Sequence, residues 1–365
     1  MKFFCNKINF QRVVNLAERI SGKSQTLPIL SSVLIKAEEG RVAVLSTNLE
    51  VGFEMSLPAK IEKNGMAVVP TKTLLPLLSS ISDENVTMEG EGTALHITSL
   101  SSSTKVKCLP SEEFPILPRI KKERSFNIFS RLLASALKNT LSAASTSYTR
   151  PELASISILS PEKGVLTFAA TDSFRLAEQK AATEAYDISI LVPYKNAQEL
   201  LRIIEDMDSD IEVVYSKNQI VFQTKEMYFI SRLTEGEFPN YQGIIPKSFT
   251  TQAVINKDKF TSSLRAASIF STRLSDVLIK VIAKDGLIEI RSQNSESGEH
   301  NSLCRAKISG EDVESTFNYN YLFDALKSIP NEDVFLGFNG AGKPLLMRGE
   351  GDSSYLHLVM PMRGV

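Results

Sequence analysis

The 365-residue sequence has little of what usually announces a chemistry. Its three cysteines, Cys5, Cys108 and Cys304, are far apart and odd in number. They make neither a disulfide framework nor a zinc motif, so a reducing, cytoplasmic setting is expected. His96, His300 and His357 stand alone, and there is no HExxH pair, paired-cysteine motif or GxSxG elbow. Asp172 and Glu178 lie six apart in an apparent strand and loop and suggest no acid–base pair. No run approaches the ~18 apolar residues of a membrane span. The opening MKFFCNKINF lacks the apolar stretch and small-residue cleavage site of a secretory leader, and none is expected. With 41 basic and 42 acidic residues the formal charge is -1. A bulk positive field for nucleic acid is therefore missing, and local charge placement would have to hold any DNA. What is present, 42% hydrophobic and 23% charged residues, is globular rather than disordered.

One segment imitates a nucleotide site. Gly337 to Lys343, GFNGAGK, has the glycine and lysine spacing of a phosphate-binding loop. Pro344 stands where a magnesium-binding Ser or Thr is needed, and LLMRGEG continues as strand and turn rather than helix. A hairpin loop is expected there, and no cofactor or metal.

The informative feature is repetition. VPTKTLLPLL starts at Val69, VPYKNAQELL 123 residues later at Val192, and FNYNYLFDAL a further 125 on at Phe317. LPSEEFPIL at Leu109, LTEGEFPNY at Leu233 and the closing LVMPMRGV at Leu358 keep the same spacing. Each unit also opens with an apolar stripe at i, i+3, i+4, i+7: Phe10, Val13, Val14, Ala17; Phe129, Leu132, Leu133, Ala136; and Phe260, Ser263, Leu264, Ala267. Second helices are expected at 72–81, 195–204 and 319–328. Short β-rich runs, such as 32–36, 42–46, 165–169, 211–215, 219–223 and 287–291, fill the remainder. The fold class expected is α+β: three similar domains, 1–124, 125–247 and 248–365, each with two helices on antiparallel sheets. Polar stretches at 121–125 and 247–252 serve as linkers.

Opposite the stripes the helices carry cations. Counting about 100° per residue from each Phe, Arg12 and Arg19, then Arg131 and Lys138, fall away from the core, with Arg265 on a similar side in the third unit. The six helical segments sum to +6 in a chain of -1, which leaves -7 for strands and loops. Basic side chains on one face would meet phosphates without reading sequence. Twelve helices from two such chains, packed at about 9 Å, would ring an opening of roughly 24 Å once a helix radius of about 5 Å is removed from each side.

These features resemble the bacterial β sliding-clamp family, the processivity subunits of DNA polymerase III. The opening MKF, TLPIL at 26–30, VPTK at 69–72, ATDSFRLA at 170–177, VPYK at 192–195, EGEFPNY at 235–241 and VMPMR at 359–363 carry the resemblance, which covers the whole chain. It implies a head-to-tail homodimeric ring around double-stranded DNA, held without sequence preference. It also implies no enzymatic activity and partners in the polymerase III catalytic subunit, the clamp loader and other proteins bearing a clamp-binding peptide, with no membrane. The peptide cleft it implies is built from Leu153, Thr171, Arg175 and Leu176; from Pro239 and Ile244; from Asn318 and Tyr321; and from Leu358, Met360, Pro361, Met362 and Arg363. Methionine and aliphatic side chains suit such an adaptable pocket.

For DNA the candidates are Lys23, Lys72, Lys195 and Arg150, with Tyr148 in the Ser/Thr-rich loop at 145–150. Arg12, Arg19, Arg131 and Lys138 join them. For ring closure the resemblance implies an edge strand at Thr104, Val106 and Cys108 meeting a helix end at Ile269 and Phe270, a heterologous contact. Ser173 and Phe174 replace the family's frequent Gly-His or Gly-Tyr, Gln242 and Gly243 follow Tyr241 where relatives can carry arginine, and Gly364 and Val365 extend past Arg363. A shifted peptide preference is expected. The competing classes are a β-rich protein scaffold without DNA contact and a hydrolase; retention on circular against linear DNA separates them from a ring.

Overall fold

Three of the helices begin where a strand ends on asparagine. The side chains of Asn6, Asn256 and Asn318 accept the N–H groups of Asn9, Lys259 and Asn320 at 3.1, 3.2 and 2.9 Å. Each satisfies an otherwise unpaired donor of a first turn. The computed structural model describes residues 1–22, 27–38, 40–121, 124–184 and 187–362. Its α-helices are α1 (Lys7–Ile20), α2 (Thr71–Ser80), α3 (Ser130–Leu141), α4 (Tyr194–Ile204), α5 (Lys257–Ser268) and α6 (Tyr319–Ser328). The second helix of each repeat lies within a residue of its expected bounds.

The apolar residues of the α1 and α5 stripes are buried as expected, while Ser263 is half-buried. Phe10, Val14 and Ala17, and Phe260, Leu264 and Ala267, have no exposed surface. Burying each Phe contributes about 1.5–3 kcal/mol. The stripe of the middle repeat is different. Phe129 ends a strand and Leu132 is 46% exposed, whereas Leu133 and Leu137 are each 1% exposed. Phe10 and Phe260 are each the fourth residue of their helix, and the fourth residue of α3 is Leu133. Aligning on Phe129 therefore shifts the repeat by four residues. The error arose because i, i+3, i+4, i+7 patterns overlap themselves at a shift of four. In the corrected register Lys138 matches Arg265.

Contacts divide the chain into two compact units. The first, Met1–Arg131 with Gln198–Leu233, holds a five-stranded and an eight-stranded sheet. In the eight-stranded sheet, Met227–Arg232 pairs antiparallel with Val51–Pro58, placing Phe229 opposite Phe53. The second, Leu132–Ala197 with Thr234–Val365, holds a twelve-stranded sheet. There Arg175–Ala182 pairs with Tyr355–Val359, and Leu176 faces Leu358. The middle third of the chain thus gives strands to both units.

The expected linkers are partly wrong. Arg124–Phe129 is an edge strand of the eight-stranded sheet and Thr251–Asn256 an internal strand of the other. Both alternate between the two faces, so polar residues sit on the solvent side of regular strands. The residues at 337–343 do form a hairpin connection. Asp333–Phe338 and Leu345–Gly349 pair antiparallel across it, and no helix follows.

Candidate functional site

The segment ATDSFRLA is a strand, a tight turn and a second strand. Thr171 ends Val165–Thr171. Its hydroxyl donates to the Arg175 carbonyl at 2.6 Å and accepts the Ser173 N–H at 3.1 Å. The Asp172 carboxylate accepts the N–H groups of Phe174 and Arg175, both at 2.9 Å. These bonds hold Ser173 at φ 78°, a left-handed conformation that favours glycine. The turn leaves the Phe174 ring exposed.

Arg175 is the hub. Its Nε donates to Asp172 at 3.0 Å, its Nη1 donates to Asp324 of α6 at 2.7 Å, and its guanidinium lies 4.3 Å from the centre of the Tyr321 ring. The side chain is 14% exposed. Two carboxylates and an aromatic face fix a planar cation in one orientation. Burial, then the Asp172 charge, raises the Tyr321 phenol above its usual range.

Beneath the turn, Leu176 and Leu358 pack with Ala169, Tyr241, Phe335 and Leu346. Buried Glu178 accepts the Tyr241 hydroxyl at 2.6 Å and the Gln242 amide at 3.1 Å. Gln242 is therefore committed to an internal bond. Burial, reinforced by this carboxylate, pushes the Tyr241 phenol well above its usual range. His357 is wholly buried with Nδ1 3.0 Å from the Tyr355 hydroxyl, and burial lowers its pKa to about 3.

The chain end is tied to both sides of this region. The Met360 N–H donates to the Phe174 carbonyl and the Met362 N–H to the Thr316 carbonyl, each at 2.8 Å. Phe174, Ile244 and Met360 are left as exposed apolar groups, while Pro239, Pro361 and Met362 are half-buried. Of the other residues expected here, Leu153 is buried in the turn after α3, and Asn318 caps α6. Arg363 lies outside the described residues. The open groove lined by Gln242, Gly243, Ile245, Pro246 and Lys247, with Ser248 and Asn339, was not anticipated. Its only signal in the sequence was the polar run itself.

The cations expected to meet DNA have unequal surroundings. Arg19, Lys72 and Lys138 are exposed, and no described carboxylate pairs with them. Arg12 pairs with Asp206 at 3.3 Å and Arg131 with Asp208 at 2.7 Å. Arg150 pairs with Glu152 at 3.1 Å, and the Lys195 ammonium sits 4.9 Å from the centre of the Tyr148 ring. Lys23 lies outside the described residues.

Two of the open sheet edges lie at or beside the residues expected to close the ring. Ser103–Lys107 is the last strand of the five-stranded sheet. It carries Thr104 and buried Val106, with Cys108 one residue beyond. In the second unit, Gly298–Gly310 pairs with Leu287–Asn294 through residues 298–305, but with Thr251–Asn256 only from residue 306 on. One side of residues 298–305 is therefore unpaired among the described residues. Beside it Phe270 stacks on His300 with centroids 6.2 Å apart, and Ile269 and Leu303 are exposed. The sequence pointed to Ile269 and Phe270 but not to this strand, because an open edge depends on which partner is absent.

Three models of the DNA polymerase III beta subunit match in succession: the N-terminal domain over residues 1–118, the central domain over 127–240 and the C-terminal domain over 242–363. The chain belongs to the DNA polymerase III beta subunit family. The beta sliding clamp of Staphylococcus aureus is 28% identical, covering 100% of this chain and 99% of its own. The crystal structure of the DNA polymerase sliding clamp from Bacillus subtilis superposes with a TM-score of 0.93 at 27% identity, with full coverage of both chains. A sliding clamp from Bartonella birtlesii bound to griselimycin gives 0.92 at 27%, again with full coverage. The fold is the three-domain clamp fold, two helices on antiparallel sheet per domain. As a family member the chain is a non-catalytic polymerase subunit. No helix of the described residues is long and apolar enough to cross a membrane.

Proposed function

We propose that this chain is a DNA polymerase processivity factor that closes head to tail with a second copy into a ring around double-stranded DNA. It slides there and tethers the polymerase III catalytic subunit, the clamp loader and other peptide-bearing partners in the cytoplasm. The observation that carries this reading is the succession of N-terminal, central and C-terminal clamp domain models along one chain. The domains are assigned as 1–124, 125–247 and 248–365.

Ring closure is assigned to the open edge Ser103–Lys107 of one copy pairing with the open edge at 298–305 of the other. Such pairing would satisfy exposed backbone groups on both, with Ile269, Phe270 and Leu303 covered beside it. Partner peptides are assigned to the surface around Phe174, Ile244, Met360 and Met362, held at one end by the Arg175 hub. The exposed cations of the helices and of the 145–150 loop are assigned to phosphates.

A ring stays on a nicked circle and runs off a linear duplex. Loading the protein on both substrates tests the reading; equal loss from both would overturn it. Sedimentation over a dilution series should give a species of about twice the 40.3 kDa chain mass. Met362→Ala should weaken the capture of a clamp-binding peptide, and equal affinity would remove Met362 from the cleft.

A further inference from the structure

The acidic turn after α4 is built to hold carboxylates against the helices' own arginines. Ser130, the first residue of α3, clamps that turn. Its hydroxyl donates to the Met207 carbonyl at 2.8 Å and accepts the Ser209 N–H at 3.2 Å, and its own N–H donates to the Ser209 carbonyl at 3.0 Å. Ser130 is fully buried, so the clamp is not a surface accident. Met207 and Ser209 are thereby pinned, and Asp206 and Asp208 project from pinned backbone. One reaches Arg12 of α1, 194 residues away in sequence, and the other reaches Arg131. Nothing in the helical stripes requires these acids.

We infer that Asp206 and Asp208 are built-in counter-ions that attenuate the grip of Arg12 and Arg131 on DNA phosphates. The inference rests on the clamp reading above. All four side chains are at least 60% exposed. Pairs of that kind are weak and break readily, so a phosphate can displace the carboxylate without a large barrier. The carboxylate then stands ready to reclaim the guanidinium when the phosphate leaves. Each arginine exchanges between two anions of similar strength, which favours short contacts over a fixed register. Arg19, Lys72 and Lys138 have no such competitor among the described residues and supply the standing attraction.

The test is the salt dependence of binding to a short linear duplex, measured for the wild type and for Asp206→Asn/Asp208→Asn. Unmasking two cations should tighten binding roughly tenfold at low salt. It should also steepen the slope of log K against log salt by about 0.9, because two arginines shared evenly between carboxylate and phosphate gain about one full phosphate contact. A control of equal charge change, Glu38→Gln/Glu314→Gln, breaks two lysine pairs on strands and should leave both quantities unchanged. Adding Arg12→Gln and Arg131→Gln to the asparagine variant should erase the gain. The inference is overturned if the asparagine variant matches the wild type, or if the control moves as far. Retention of the wild type on a nicked circle is scored in parallel. A retained wild type beside an unresponsive variant overturns the inference alone. Loss of retention overturns the clamp reading and this inference with it.

Discussion

Arginine–carboxylate pairs occur in this chain in two opposite settings. Arg175 is held by Asp172 and Asp324 with side chains 14%, 16% and 24% exposed, over an aromatic ring and above a packed floor. Arg12 and Arg131 hold Asp206 and Asp208 in the open, where solvent and salt screen the charges. The chemistry is the same and the consequence differs. Beside the turn at 172–174 the pair is architecture: it orients a guanidinium and ties α6 to that turn. On the helices the pair is an exchangeable occupant of a cation.

The largest effects should come from the floor. Leu176→Ala empties a site that is 1% exposed and should cost about 2–5 kcal/mol in urea unfolding. The corrected helix register gives a paired test. Leu133→Ala should cost the same range and its neighbour Leu132→Ala under about 1 kcal/mol; the reverse order would restore the Phe129-based alignment. Next is the hub. Arg175→Ala leaves Asp172 without its cation and Asp324 with only the exposed Lys327, 3.2 Å away, and at this partial burial a loss of about 2 kcal/mol is expected. Arg12→Ala should change stability by less than about 0.5 kcal/mol. Equal losses in the two settings would erase the contrast.

A third effect is pH-dependent. The folded pKa of His357 lies at about 3, below the ordinary 6.5. The unfolded chain therefore binds a proton first as pH falls. This group's contribution is complete above pH 6.5 and is lost toward pH 3, at about 1.4 kcal/mol per pH unit between. His357→Gln should flatten the stability–pH slope by that amount in that window; an unchanged slope would mean the imidazole is not held neutral. The smallest effect is expected at the turn. Ser173→Gly should relieve the left-handed φ and stabilise by about 0.5 kcal/mol, after the added freedom of the unfolded chain is subtracted. A destabilised variant would show that the serine side chain contributes more than its backbone costs.

Much of the site was legible because its motifs are contiguous. ATDSFRLA contains the threonine, the aspartate and the arginine that build the turn, and VMPMR supplies the strand end bonded to it. Other parts were not legible. Asp324 is 149 residues from Arg175 and sits in a helix whose net charge gives no hint of its partner. Leu176 and Leu358, expected to line a cleft, are instead buried in the core beneath the turn, a difference of depth that hydrophobicity alone does not express. The strand at 298–305 reads like any other β segment, because openness belongs to the sheet and not to the strand.

By itself the sequence determined three helix-and-strand repeats and the family. These rest on residues near one another in the chain, where periodicity and hydrogen-bonding reach are short. Tertiary structure alone decided how the middle third is shared between two continuous sheets, which edges stay open, and which arginines are covered by acids. Those outcomes depend on pairs of segments meeting across long stretches of chain, and the free energy of such a meeting belongs to neither segment alone.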